Sequence, residues 1–110
     1  MTKAMPREFE LYVTPEGKIP FSDWLEALKD KRAKAEVKRR LDRVIEGNLG
    51  DHKFIGEKLL ELRITYGPGY RIYCGEVEGK IIVLLCGGDK STQSKDIEKA
   101  KEYWANYTGD

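Results

Sequence analysis

Hydrophobic and polar positions alternate along this chain with two different periods. Residues 8–14, "EFELYVT", set Phe9, Leu11 and Val13 against Glu8, Glu10 and Tyr12, the period-two pattern of a half-buried strand. "PEGK" at 15–18 reads as a turn. Phe21, Trp24, Leu25 and Leu28 then fall at i, i+3, i+4 and i+7, which predicts an amphipathic helix starting near residues 20–22. A second helix carries Ala33, Val37, Leu41, Val44 and Ile45 on one stripe, with Gly47 suited to its C-terminal stop because glycine tolerates positive φ. Alternation returns over residues 60–66, breaks at "GPG" (67–69), with Pro68 and Gly69 as the turn's central pair, and resumes through "YRIYCGEV" and "KIIVLLC" around a two-residue loop, Glu78-Gly79. The last helix puts Ile97, Ala100, Trp104 and Tyr107 on one side, with Ser94 as its cap and Asp96 in its first turn. The predicted order is β-α-α-β-β-β-α, an α+β domain.

Loop lengths decide which side chains meet. A two-residue loop at 78–79 pairs Val77 with Lys80 and Arg71 with Cys86; three residues at 67–69 pair Tyr66 with Tyr70 and Thr65 with Arg71. Because side chains alternate between faces, one face collects Leu60, Leu62, Ile64, Tyr66, Tyr70, Ile72, Cys74, Ile81, Val83 and Leu85, and is expected against the helices. The other carries Glu61, Arg63, Thr65, Arg71 and Tyr73, with Ile82, Leu84 and Cys86 beside them.

Length and composition narrow the class. The 110 residues suit one domain with one core, taken as residues 1–110. With 35% charged and 40% apolar residues the chain is expected to be globular and soluble. No apolar run approaches the roughly 20 residues that span a bilayer, and "MTKAMPREFE" lacks the apolar segment of a signal peptide, so no membrane and a cytoplasmic location are expected. Cys74 and Cys86 have no metal-ligand spacing, and the pairing above puts them on opposite faces, which forbids a disulfide. No metal and no cofactor are expected. His52, the single histidine, reads as a solvated loop residue in "GDHK", and Trp24 and Trp104 as core.

The net charge of +1 is unevenly spread. Residues 29–43, "KDKRAKAEVKRRLDR", hold eight Lys/Arg against three Asp/Glu, a local +5 that leaves −4 for the rest. Lys34, Lys38, Arg39 and Arg43 lie off the apolar stripe, so the basic segment is read as one exposed helix surface facing a polyanion or an acidic partner, or as an ordinary solvated face.

Candidate chemistry concentrates at "LLCGGDKSTQ" (84–93). The proposed pairing brings the end of the last strand beside Arg71, where Gly87 and Gly88 let the chain turn and release Lys90, Ser91, Thr92 and Gln93 near Arg71 and Arg63. Planar guanidinium forks and a compact ammonium converging at one sheet end suit a phosphate. "GGDKST" lacks the GxxxxGK[ST] spacing of a P-loop, and there is no parallel βαβ unit.

"FSDWLEALKD", "KRRLDRVIEGNLGDHK", "ELRITYGPGYRIYC" and "IIVLLCGGDKSTQSKDIEKA" resemble the RelE/ParE toxin superfamily of type II toxin–antitoxin modules, most closely its HigB-like addiction module killer branch, over residues 8–105. The resemblance implies a RelE-like fold, a twisted antiparallel sheet packed on helices. It also implies a cognate helix-turn-helix antitoxin, contact with operator DNA only through that antitoxin, and a free toxin that cuts mRNA in the ribosomal A site without metal. Arg71 in "GYR", Lys90 after the last strand and Arg63 before the meander's first turn match the family's basic positions. Glu61 stands where relatives have a lysine, and Asp96 lies near the place of a late tyrosine or histidine.

The roles that follow are Arg63, Arg71 and Lys90 as phosphate and leaving-group contacts, Glu61 as the best-placed carboxylate, Tyr73 as a base-stacking ring, and Gln93, Lys34, Lys38 and Arg39 as RNA contacts. Arg63 and Glu61 also read as an ordinary cross-strand pair. The rival function is a ParE-like toxin that binds and inhibits DNA gyrase without catalysis; the fold serves both.

Overall fold

A continuous apolar run with no polar alternation, such as residues 81–86, requires a strand covered on both faces. The computed structural model, which describes residues 7–109, provides that cover. Its elements are β1 (Glu8–Leu11), α1 (Pro20–Ala27), α2 (Lys31–Ile45), β2 (His52–Gly56), β3 (Leu59–Arg63), β4 (Arg71–Val77), β5 (Ile81–Gly88), a 3-10 turn over Lys90–Thr92, and α3 (Gln93–Thr108). The strands make one five-stranded sheet in the order β1-β5-β4-β3-β2. β1 runs parallel to β5 and every other pair is antiparallel, so the α+β class holds with a mixed rather than wholly antiparallel sheet.

Helices α1 and α2 cover one face. Phe21, Ala33, Val37, Leu41 and Val44 pack on Leu60, Leu62, Ile72, Cys74, Ile82 and Leu84. α3 covers the other, where Ala100, Trp104 and Tyr107 meet Leu59, Tyr73, Val83, Leu85 and Cys86. The two cysteines are therefore free, buried and in different layers. α2 starts where Asp30 accepts from the Arg32 backbone N–H at 2.9 Å, and stops at Gly47, whose φ of 97° few other residues adopt readily.

Glycine makes both layers possible at two strand positions. A Cβ on Gly75 would lie 2.2 Å from Trp104 Cζ3, and one on Gly87 would lie 2.3 Å from Trp24 Cε3. Each indole fills the space above a strand that a side chain would otherwise occupy. Gly87 and Gly88 thus belong to β5 rather than to a sharp turn, and Gly88 makes room for the Asp96 carboxylate.

Several sequence expectations are corrected. Residues 52–56 form an edge strand, β2, and not a loop, so His52 is a strand residue. The β3–β4 turn sits one residue earlier than "GPG" implied, with Gly69 N–H facing Tyr66 C=O at 3.4 Å, and Ile64 N–H bonds Tyr70 C=O at 3.0 Å. Arg63 pairs with Arg71, a two-residue shift that leaves the β3 and β4 faces as expected. Glu78 and Gly79 both have positive φ and form the expected turn, but the ladder pairs Val77 with Ile81. That one-residue offset inverts β5, so Ile82 and Leu84 face α1 and α2 while Val83 and Leu85 face α3; a bulge beside Tyr73 returns Cys86 to the α3 side. The first strand ends at Leu11, and Tyr12, just beyond it, is buried against Tyr103, while Leu11 and Val13 are exposed. The last helix is led in by Asp89, which caps the 3-10 turn with Thr92, in place of Ser94. Arg40, one of the eight basic residues of 29–43, is buried.

Gly75→Ala is expected to destabilise the protein by about 1–3 kcal/mol, the usual cost of overpacking. Urea denaturation checks it. Combined with Trp104→Leu the loss should fall short of the sum of the two single changes, because the same indole causes the clash.

Candidate functional site

The strand register gathers charge at one end of the sheet. Glu61 lies opposite Tyr73, and Arg63 opposite Arg71, while Arg71 also pairs with Gly88 at the end of β5. α3 begins five residues later, and Gln93 in its first turn reaches back over the same face. The centre is Glu61, which has no exposed surface. Its carboxylate accepts from Gln93 Nε2 at 2.8 Å, Tyr73 Oη at 3.1 Å and Arg63 Nε at 3.3 Å, and Arg71 Nε lies 3.9 Å away. Burial alone pushes the Glu61 carboxyl up, but the hydrogen bonds from Gln93, Arg63 and Tyr73, with the Arg71 charge, outweigh it and hold the group below its ordinary value. Tyr73 responds in the opposite sense, since burial and the adjacent carboxylate push its phenol far up.

Arg71 is held but not saturated. Its Nε is buried with no hydrogen-bond partner, and its Nη1 makes only a 3.5 Å contact to Gly69 C=O. Gly69, at φ 80°, keeps the neighbourhood open: a Cβ there would lie 3.6 Å from Lys90 Cβ and 3.8 Å from Arg71 Nη1. Lys90 and Arg71 therefore flank one bare glycine, and Lys90 is exposed. Arg63 and Arg71 both contact Glu61, Arg63 also lies 3.9 Å from Asp51, and Lys90 stands beside Arg71 across Gly69.

Two of the expected roles change with burial. Tyr73 is fully buried against α3 and cannot stack on a base; its hydroxyl secures Glu61. Glu61, expected at the surface as the acid–base carboxylate, is enclosed and ionised, which fits it to fix the guanidiniums in place. Gln93 is half-buried and its amide is spent on Glu61. Of the basic helix, Arg39 lines a cleft that Arg63 also borders, whereas Lys34 and Lys38 line a separate groove between α1 and α2 on the far side of the sheet. His52 Nδ1–H donates to Gly50 C=O at 2.8 Å.

Lys53 is a cation that the sequence reading passed over. It pairs with Glu61 from β2 and so shares its face, at the open edge of the sheet. Its signal was hidden because the turn that follows, Glu57-Lys58, holds no glycine, asparagine or proline, and Lys58 itself takes a φ of 59°. Among the described residues no three His, Cys, Asp or Glu side chains gather in a way that could hold a metal ion, and no helix is long and apolar enough to cross a membrane.

The profile of the family described as phage derived protein Gp49-like (DUF891) matches residues 23–105, from α1 almost to the end of α3. The chain belongs to the Gp49-like family. That family is associated with the RelE-like toxins of toxin–antitoxin systems. An uncharacterized protein of Haemophilus influenzae (strain Rd) is 49% identical over 83 residues, which cover 76% of this chain and 84% of that protein. The matched Gp49-like segment contains Glu61, Arg63, Arg71, Lys90 and Gln93, so the whole charged cluster lies within the family's domain.

Glu61→Gln keeps the shape of the Gp49-like site and removes its one buried negative charge. At neutral pH it is expected to cost roughly 3 kcal/mol, the order seen when one partner of a buried ion pair is lost. The folded carboxyl titrates below its ordinary 4.5, so its stabilising contribution is complete above that value and is lost as pH falls through the lower folded value. The stability difference between wild type and Glu61→Gln should therefore be level at neutral pH and shrink once pH drops below about 4.5. Denaturant midpoints across that range check it, because Asp30 and Asp89, also held low, are common to both proteins and cancel.

Proposed function

We propose that this chain is the toxin of a type II toxin–antitoxin module of the HigB-like kind, a ribosome-dependent endoribonuclease that cuts messenger RNA when free of its helix-turn-helix antitoxin. The observation that carries the reading is the directly opposed pair Arg63 and Arg71, locked to one buried carboxylate with Lys90 alongside. Like charges facing each other across two strands destabilise a sheet. Glu61, with a loose 3.9 Å contact from Asp51 to Arg63, offsets only part of that repulsion. An incoming phosphate completes the compensation, and a phosphorane, which carries more charge than the phosphodiester it forms from, does so better still.

In this reading the substrate supplies its own nucleophile. The 2′-hydroxyl gives its proton to solvent water and its oxygen attacks the adjacent phosphorus, the bond to the 5′-oxygen breaks, and a cyclic phosphate and a 5′-hydroxyl result. Arg71 and Arg63 bind the non-bridging oxygens. Lys90, exposed at the mouth of the cluster, protonates the leaving oxygen. Glu61, Tyr73 and Gln93 are positioning residues that keep the two guanidinium forks aimed. Lys53 stands at the open edge, where the strand of RNA would leave the site.

Induced expression of wild type and Arg71→Ala, with transcript ends mapped, tests the proposal. Wild type is expected to arrest growth and to leave in-frame cuts in translated messages. Arg71→Ala, checked for folding by circular dichroism, should reduce cutting by about 10²–10³, the usual effect of losing one transition-state donor. DNA breaks with intact messages would establish the ParE-like gyrase poison instead. Unhindered growth at good wild-type expression would also overturn the nuclease reading.

A further inference from the structure

A second arginine cluster lies beyond the first. Between α2 and the segment that leads into β2 is a cleft of about 220 Å³, smaller than the pockets that take drug-sized ligands. Arg39 and Arg43 border it from α2, Arg63 borders it from the end of β3, and Glu36 and Asp51 stand at its rim. Arg40 forms part of its wall and is only 7% exposed.

Arg40 is the unusual member. Its Nε donates to Arg63 C=O at 3.0 Å, and its Nη2 donates to Leu49 C=O at 2.5 Å and to Asp51 C=O at 2.7 Å. Its Nη1 is buried and has no hydrogen-bond partner. Among the described residues no carboxylate comes within ion-pair distance of it. A guanidinium stays charged in a protein, and a buried charge is normally matched by a counter-ion. Backbone carbonyls solvate this one without neutralising it. Burial, opposed by Asp51 and aided by Arg43, pushes its pKa down.

The remaining charges in the cleft do not close the gap. Arg39 reaches Glu36 at 3.4 Å, and Arg63 Nη1 lies 3.9 Å from Asp51, a loose contact. Arg43 makes no ion pair among the described residues. Arg63 is already engaged by Glu61, so Arg39, Arg40 and Arg43 against Glu36 and Asp51 leave one guanidinium charge uncompensated in a small concave site. Gly50, at φ 60°, permits this geometry, since a Cβ there would lie 2.9 Å from Arg40 Nη1.

We propose that this cleft is a second phosphate-binding site, which grips one phosphodiester of the same RNA strand that the Arg71 cluster cuts. This rests on the nuclease reading for the identity of the strand. The connection is Arg63. Its Nε is turned to Glu61 in the first cluster and its Nη1 borders the second, so one side chain stands between the two sites. A phosphodiester chain carries regularly spaced anions and can occupy both at once, which a lone carboxylate cannot. The fork geometry of arginine suits phosphate oxygens, and the cleft contains no lysine.

The test uses the intact protein and a single-stranded RNA whose 2′-hydroxyls are O-methylated, so that it binds without being cut. Fluorescence anisotropy over a salt series gives affinity and the number of phosphate contacts. Arg43→Ala and Arg39→Ala, both at exposed positions of α2, are each expected to weaken binding several-fold. Each should also flatten the salt slope by about 0.7, the value for one phosphate contact on a single strand. Glu36→Gln should act in the opposite direction and tighten binding, because it removes a competing carboxylate and frees Arg39. Unchanged RNA affinity and slope in all three variants overturn the proposal. Variants that lose affinity for a poly-glutamate peptide but not for the RNA overturn it too, in favour of an acidic protein partner. The two readings fail separately: Arg71→Ala abolishing cuts while Arg43→Ala leaves RNA binding untouched sinks the cleft alone, and salt-dependent binding in the cleft without any cut in translated messages sinks the nuclease alone.

Discussion

A carboxylate with no exposed surface has to be satisfied from within the protein, and the charged end of this molecule is arranged around that requirement. Removing an ion from water costs several kcal/mol even after relaxation. Glu61 offsets it with three hydrogen bonds, from β3 itself, from β4 and from the first turn of α3, and with the Arg71 charge from β4. The same contacts fix the positions of Arg63, Tyr73 and Gln93. A different register between β3 and β4, or a different start for α3, would strip Glu61 of partners from β4 or α3 and leave it leaning on Arg63 of its own strand. The carboxylate therefore acts as a check on the packing of three elements.

Layering explains why this end of the sheet is charged while the rest is not. Over most of its length the sheet is closed on both faces, by α1 and α2 on one side and by α3 on the other. The two tryptophans seat themselves over Gly75 and Gly87, where the strands offer no side chain. Arg63 and Arg71 lie at the strand ends where β3 stops and β4 begins, beyond that apolar cover. Lys90 arrives from the opposite direction, on the short turn that connects β5 to α3. Proximity of the three cations is a consequence of where the helices end.

Much of this was legible in the sequence, for physical reasons that differ from element to element. The helices declared themselves through the spacing of Phe21, Trp24 and Leu25 and of Ala33, Val37, Leu41 and Val44, because each has one apolar stripe. The β3 and β4 faces survived an error in the turn because the register moved by two residues, which preserves the side of every residue. β5 did not survive its one-residue error, and its uninterrupted run of apolar residues contained no alternation that could have exposed it. β2 was hidden because an edge strand needs little apolar sequence and its turn uses a lysine at positive φ. Arg40 was hidden by its neighbours, since a buried arginine looks like its exposed companions until its carbonyl partners are known. That Glu61, Arg63, Arg71 and Tyr73 share one face could be read from the sequence, but the burial of Glu61 and Tyr73 could not, because it depends on α3 crossing a face that seemed free.

That burial changes what chemistry the site can support. A carboxylate held ionised by three donors is a poor proton acceptor, and a phenol pushed up by an adjacent anion is a poor donor at neutral pH. Proton transfer cannot then run through the centre of the cluster. In the proposed nuclease it would run along the rim, where Lys90 and Lys53 are in contact with solvent. The centre is left with one capacity, the stabilisation of negative charge on a group held against Arg63 and Arg71. For a reaction in which the substrate carries its own nucleophile, that capacity is the larger part of what a catalyst must provide, since the crowded phosphorus gains charge while the attacking oxygen is already in place. A binding protein that used the same fold as a wedge against another protein would have no reason to hold two arginines in direct opposition, because their repulsion lowers its stability and serves no apolar contact.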